Sequence, residues 1–167
     1  MNQELQTVYE KAIVKIYGIE HALCTHLMTM IQHSTNDDLK KFFTAHLEET
    51  KEHGTHLATL LQKYNLSMQA SADGSFTKLL QESLSEIQAV ISPQVKDDCI
   101  IACALVVEHI EIANYETLIL WSNDREDQTD NNIFKTNCAE EDQAVDTLTG
   151  LATGGLFTTG VVEKAVN

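Results

Sequence analysis

The chain has 167 residues, 43% of them hydrophobic and 22% charged, which suits one globular domain and excludes a disordered chain. One proline and seven glycines are too few for a turn-rich all-β fold and favour long helices. A formal net charge of −14 repels nucleic acid and anionic membrane, so neither is expected as a partner.

The first helix is predicted from about Gln3 to His33. Tyr9, Ile13, Ile16, Leu23, Leu27 and Met30 fall on one seam at alternating steps of four and three. Ser34-Thr35-Asn36-Asp37 is a turn, and either Asn36 or Thr35 can cap the second helix, which continues to about Tyr64. Asn65 to Gly74 is polar and small and reads as a linker. A shorter helix follows near Ser75 to Ile91, with Leu79, Leu80, Leu84, Ile87 and Ile91 for packing. Ser92-Pro93 breaks it and opens a third long helix to about Asn123, since proline suits a first helical turn. After a polar loop from Asn123 to Asn132, a fourth long helix is predicted to Thr149, stopped by Gly150. Residues 1–152 form the bundle in this reading, and 153–167 form a weakly specified tail.

No apolar run reaches the ~18 residues of a membrane span, and MNQELQTVYEK lacks the pattern of a secretory signal. Cys24, Cys99, Cys103 and Cys138 include no CxxC pair. Reduced, mostly buried thiols in a cytoplasmic protein are therefore expected. The layout is all-α: a four-helix bundle with one long crossover connection carrying a short extra helix.

The long seams carry acids where leucines belong. Glu20 fills the gap between Ile16 and Leu23 on helix one. Helix two runs Leu39, Phe42, His46, Glu49, His53, His56, Leu60. Helix three runs Ile101, Ala104, Glu108, Glu111, Tyr115, Leu118, and helix four runs Phe134, Cys138, Glu141, Val145, Leu148, Ala152. One Glu on an apolar seam is usually a boundary residue whose carboxylate reaches water. All four helices turning ionisable groups inward together is a different case. Each unpaired buried carboxylate costs several kcal/mol, and five would exceed the ~10 kcal/mol net stability of a small domain. Two divalent cations would offset four of the five charges of Glu20, Glu49, Glu108, Glu111 and Glu141, with His53 as a neutral ligand. Carboxylates and imidazole suit iron or manganese, and the seams offer no thiolate set for zinc or iron–sulfur chemistry.

The chain resembles the YciE/YciF-type ferritin-like proteins, a bacterial stress-associated family. Tyr17-Gly-Ile-Glu20 and Leu39-Lys-Lys-Phe-Phe-Thr-Ala-His-Leu-Glu-Glu-Thr50 carry the resemblance on the first two helices. Val107-Glu-His-Ile-Glu-Ile-Ala-Asn-Tyr115 and Glu140-Glu-Asp-Gln-Ala-Val-Asp146, ahead of Leu148-Thr-Gly-Leu-Ala152, carry it on the last two. The resemblance implies a dinuclear centre with one Glu from helix one, a Glu-x-x-His from helix two and, as in rubrerythrin-like members, a Glu-x-x-Glu from helix three. Glu20 matches the first element, and Glu108 with Glu111 the third. On helix two Glu49 is followed by Glu52 three residues on and then by His53, so both stay open as the second ligand there, with His53 on the seam. Helix four offers Glu141, with Val145 one turn on where a second ligand would stand.

Three classes of function follow. The first is a redox-active dinuclear metalloprotein, iron ahead of manganese, that reacts with oxygen or peroxide. His46, His56 and Tyr115 could orient its ligands, and an external electron donor is needed because rubredoxin-like Cys pairs are absent. The second is a non-catalytic structural or interaction bundle of the stress response. The third is a manganese catalase-like enzyme, which the missing helix-four histidine disfavours. A homodimer is also expected: the resemblance suggests it, and Leu47, Leu57 and Leu61 lie off the metal seam and need either the core or a partner.

Overall fold

The computed structural model describes residues 3–69, 74–123 and 128–154. Its helices are α1 (Gln3–His33), α2 (Asp37–Lys63), α3 (Gly74–Ala89), α4 (Pro93–Ser122) and α5 (Thr129–Gly154). The α1–α2 pair and the α4–α5 pair are the two closest packings; α4 also meets α1, α5 meets α2, and α3 lies on α1 and α4. This is the expected four-helix bundle, with α3 carried in the long crossover. Among the described residues no helix is long and apolar enough to cross a membrane.

The α1–α2 turn is fixed by two side chains. Asn36 is the N-cap of α2, accepting from the Asp38 and Leu39 backbone N–H groups at 2.8 and 3.2 Å. Thr35 is bound elsewhere: its backbone N–H and hydroxyl donate to buried Asp97 at 2.7 and 2.5 Å. Asp97 also accepts from the Asn36 N–H at 3.0 Å, so the first turn of α4 holds the α1–α2 turn in place. The α2 C-terminus closes through Asn65 at φ 53, which lets Leu66 N–H reach Leu61 O at 2.8 Å.

Three predicted ends move. α5 begins at Thr129 and runs through Gly150 to Gly154. At its start, buried Asp130 accepts from Tyr9, Lys63 and Tyr64, and the Asn131 amide donates to Ser122 Oγ at 3.0 Å. Tertiary partners thus hold in helix a segment that looks like loop. At its end Leu151 and Ala152 pack on the core, which outweighs the ~1 kcal/mol helical cost of one glycine. α3 stops at Ala89, so Ile91 does not pack: it is 94% exposed.

Leu47, Leu57 and Leu61 are buried in the chain's own core, so they leave no surface for a partner. The cysteines are free; Cys138 is buried, whereas Cys24, Cys99 and Cys103 are half-buried, less enclosed than expected. The apolar core falls into two clusters. One contains Tyr9, Ile13, Leu60, Tyr115, Leu118 and Phe134, and the other Leu27, Met30, Phe43, Ile100, Ile101 and Leu148. The inward acids occupy the stretch of the helices between these clusters.

Candidate metal centre

Five of the six residues singled out as metal ligands are brought together. Glu20, His53, Glu108, Glu111 and Glu141 are each no more than 1% exposed. They reach the interior because α1, α2, α4 and α5 each present a continuous buried seam there. Two triads result, Glu20–His53–Glu141 and His46–Glu108–Glu141, each with its ligand atoms within 4.8 Å of one another. Glu141 belongs to both, and a carboxylate's two oxygens can serve two ions.

The sixth residue, Glu49, stands outside both triads with its side chain 48% exposed. The alternation of steps on α2 fixes positions 46 and 53 but not the residue between them. The helix turns Thr50 inward, its hydroxyl donating to His46 O at 2.9 Å, and leaves Glu49 at the edge. Glu52 is exposed as well, which leaves His53 as the inward residue of that pair.

Both histidines share one arrangement. His46 Nε2 faces Glu108 and Glu141 at 3.3 and 3.6 Å, while its Nδ1 is held by Glu49 at 3.2 Å. His53 Nδ1 faces Glu141 and Glu20 at 2.9 and 3.4 Å, while its Nε2 is held by Glu140 at 2.6 Å. One nitrogen looks into the cluster and the other is gripped by a half-exposed carboxylate, the geometry by which proteins orient metal-binding imidazoles. Sequence reasoning placed His46 outside the ligand set and passed over Glu140. The second could not be found from periodicity, because Glu140 lies beside the α5 seam and reaches His53 only across the bundle.

The polar atoms of this layer are not satisfied by one another. Both oxygens of Glu111, both of Glu141, Glu108 Oε2, Glu20 Oε2 and His53 Nδ1 are buried without a hydrogen bond; the 2.9 Å contact of His53 Nδ1 with Glu141 is close but not aligned as one. Burial pushes the Glu111 carboxyl well above its usual range, and the charges of Glu141, Glu20 and Glu108 push it further. Burial also raises Glu141, to about 7, although His53 opposes it. Burial lowers the histidines, but the facing carboxylates outweigh it and raise His46 to about 9 and His53 to about 11. In the absence of a cation the layer must therefore hold extra protons. With both imidazoles neutral, the four buried carboxylates Glu20, Glu108, Glu111 and Glu141 carry a charge that two divalent cations would cancel in full. The residues thus fit a dinuclear ion pair, and exclusion of Glu49 improves the balance.

A hydrogen-bonded series adjoins Glu20. The Tyr115 hydroxyl donates to Glu20 Oε1, Asn137 Nδ2 donates to the Tyr115 oxygen at 3.0 Å, and Asn137 Oδ1 lies 2.9 Å from His56 Nδ1. Two clefts border the layer. One of about 140 Å³ between α2 and α5 is lined by His46, Glu49 and Glu140. The other, about 290 Å³ between α1 and α2, is lined by Glu20, Cys24, Thr50 and Gly54.

Residues 4–160 match the family described as Domain of unknown function (DUF892). The chain is 29% identical over 115 residues to Protein YciF of Escherichia coli strain K12, covering 68% of this chain and 69% of that one. The structure of the E. coli stress protein YciF superposes with a TM-score of 0.84 at 25% identity, over 94% of this chain and 99% of that one. YcfI of Rhodopseudomonas palustris superposes with a TM-score of 0.81 at 29% identity, over 87% of this chain and 92% of that one. A protein of Xanthomonas campestris shares the fold, with a TM-score of 0.69 at 20% identity over 88% of this chain and 90% of that one. The helices, their order and these matches together make the chain a member of the DUF892 family, of the YciF type.

Proposed function

We propose that this protein is a cytoplasmic, stress-associated dinuclear metal-binding protein, with iron ahead of manganese as its metal. The observation that carries the reading is the pair of buried triads sharing Glu141. Glu20, His53 and Glu141 would hold one ion, and His46, Glu108 and Glu141 the other. Glu111 has two free buried oxygens to complete either. A pair of such ions, when bound, supplies electron exchange with a small oxidant such as oxygen or peroxide. The chain's own residues orient the ligands through Glu49, Glu140 and Tyr115, and exclude bulk water through the apolar clusters on either side. Electrons then come from an external donor.

Protein reconstituted anaerobically with iron or manganese should contain two ions per chain by elemental analysis. Glu141→Gln should lose both, because that residue serves both triads. Absence of bound metal in the reconstituted wild type would sink the reading. A second reading, a non-catalytic bundle held together by its ions, is favoured by how closed the layer is, with five groups at 1% exposure or less. Peroxide consumption by the loaded protein separates the two.

In this reading the protein is also a homodimer, and the apolar surface available for it is the outer side of α4. Val95, Val106 and Leu120 are 39%, 50% and 72% exposed, and Ala102 and Ala113 fall on the same stripe at helical spacing. Light scattering that finds a monomer at high concentration would overturn it.

A further inference from the structure

We propose that His56 and Asn137 form a positioning pair that commits the Tyr115 proton to Glu20; the inference rests on the metal centre proposed above. Tyr115 has one hydroxyl proton and is fully buried. The proton can go to Glu20 Oε1 or be drawn toward Asn137. Which occurs depends on how the Asn137 side-chain amide is turned, because one end of an amide only donates and the other only accepts.

With Nδ2 against the Tyr115 oxygen, Asn137 gives a proton to that oxygen and takes none. With the amide reversed, Oδ1 would compete with Glu20 for the Tyr115 proton. His56 settles the choice. Its Nδ1 lies 2.9 Å from Asn137 Oδ1, and an N–H there holds the amide oxygen on the His56 side. Donation then runs one way, from His56 through Asn137 and Tyr115 to Glu20. Neither His56 nor Asn137 belongs to either triad; each acts through the next residue.

The consequence at the centre concerns how Glu20 binds. Tyr115 occupies Glu20 Oε1, and Glu20 Oε2 is buried without a partner. The oxygen that Tyr115 bonds, Oε1, is also the one that lies 3.4 Å from His53 Nδ1, so the bond fixes the orientation in which Glu20 faces its triad. Released from Tyr115, the carboxylate could turn, which would change how many oxygens it offers an ion held with His53 and Glu141.

The test uses Co(II), whose visible spectrum reports coordination number, titrated into metal-free wild type, His56→Ala, His56→Asn and Asn137→Asp. Urea unfolding of each metal-free form is measured alongside. The Asn side-chain N–H stands close to where His Nδ1–H stands, so His56→Asn keeps the donor without the ring. His56→Ala should bind Co(II) on the order of tenfold more weakly with an altered spectrum, and His56→Asn should restore both. Asn137→Asp keeps an acceptor for His56 but has no N–H for Tyr115, so it should reproduce the His56→Ala spectrum. A wild-type spectrum and affinity in His56→Ala or in Asn137→Asp overturns the positioning role. So does equal impairment of His56→Ala and His56→Asn, which would make the imidazole a packing group only. If wild-type protein takes up no Co(II), the metal centre itself falls and this role with it, a result readable before any variant is compared.

Discussion

Glu111 is the residue with the largest unmet demand in the core. It is 1% exposed, neither oxygen has a hydrogen bond, and three other carboxylates raise its proton affinity. Among the described residues no cation is paired with it. Glu111→Leu should therefore raise the urea-unfolding free energy of the metal-free protein by roughly 1–3 kcal/mol, the usual penalty of an unsatisfied buried polar group. The same variant should lower metal content. Unchanged metal content with a loss of ~3 kcal/mol or more would mean that Glu111 anchors a buried cation instead. The inward placement of Glu111, Glu108, Glu20 and Glu141 was legible because each completes an otherwise apolar seam. Glu49 was misplaced because a seven-residue step from His46 to His53 can be divided as three and four or as four and three. Only packing chooses, and it chose Thr50. Asn137 escaped notice because an asparagine beside Cys138 looks like helix surface until Tyr115 and His56 are brought to it.

At the scale of elements, the four long helices and the crossover could be read from periodicity and breakers. The ends could not, because they depend on tertiary partners: Asp130 and Asn131 at the start of α5, and Leu151 beyond its glycine. Gly54 poses the opposite problem, a glycine in the interior of α2 that no backbone feature requires. Its φ is not positive, and a Cβ there would meet nothing within 4 Å. It borders the α1–α2 cleft that Glu20 also lines. Gly54→Ala should stabilise the protein by about 0.5–1 kcal/mol in urea unfolding, the difference in helix propensity and unfolded-state entropy. A destabilised variant would show that α1 approaches α2 more closely here than the open space implies.

For the whole molecule, the protons held by the acidic layer set the pH dependence of stability and of metal binding in opposite senses. Unfolded histidines titrate near 6.5, whereas the folded metal-free chain keeps its proton on His46 to about 9 and on His53 to about 11. Both contributions to stability are complete below the unfolded value, and each is lost as pH rises through its folded one. Raised Glu141, at about 7, and Glu111 act with the same sign from the ordinary carboxylate range upward. The metal-free protein should therefore lose stability steadily on the alkaline side. Metal ligands must give up these protons, so affinity should rise by up to about tenfold per pH unit for each proton released. The increase in Tm on adding Mn(II) should accordingly be larger near pH ~8.5 than near pH ~6. Calorimetric titration in buffers of different ionisation enthalpy should also record proton release. A Tm gain independent of pH, with no proton release, would mean that the cations bind at surface carboxylates and leave the buried layer protonated.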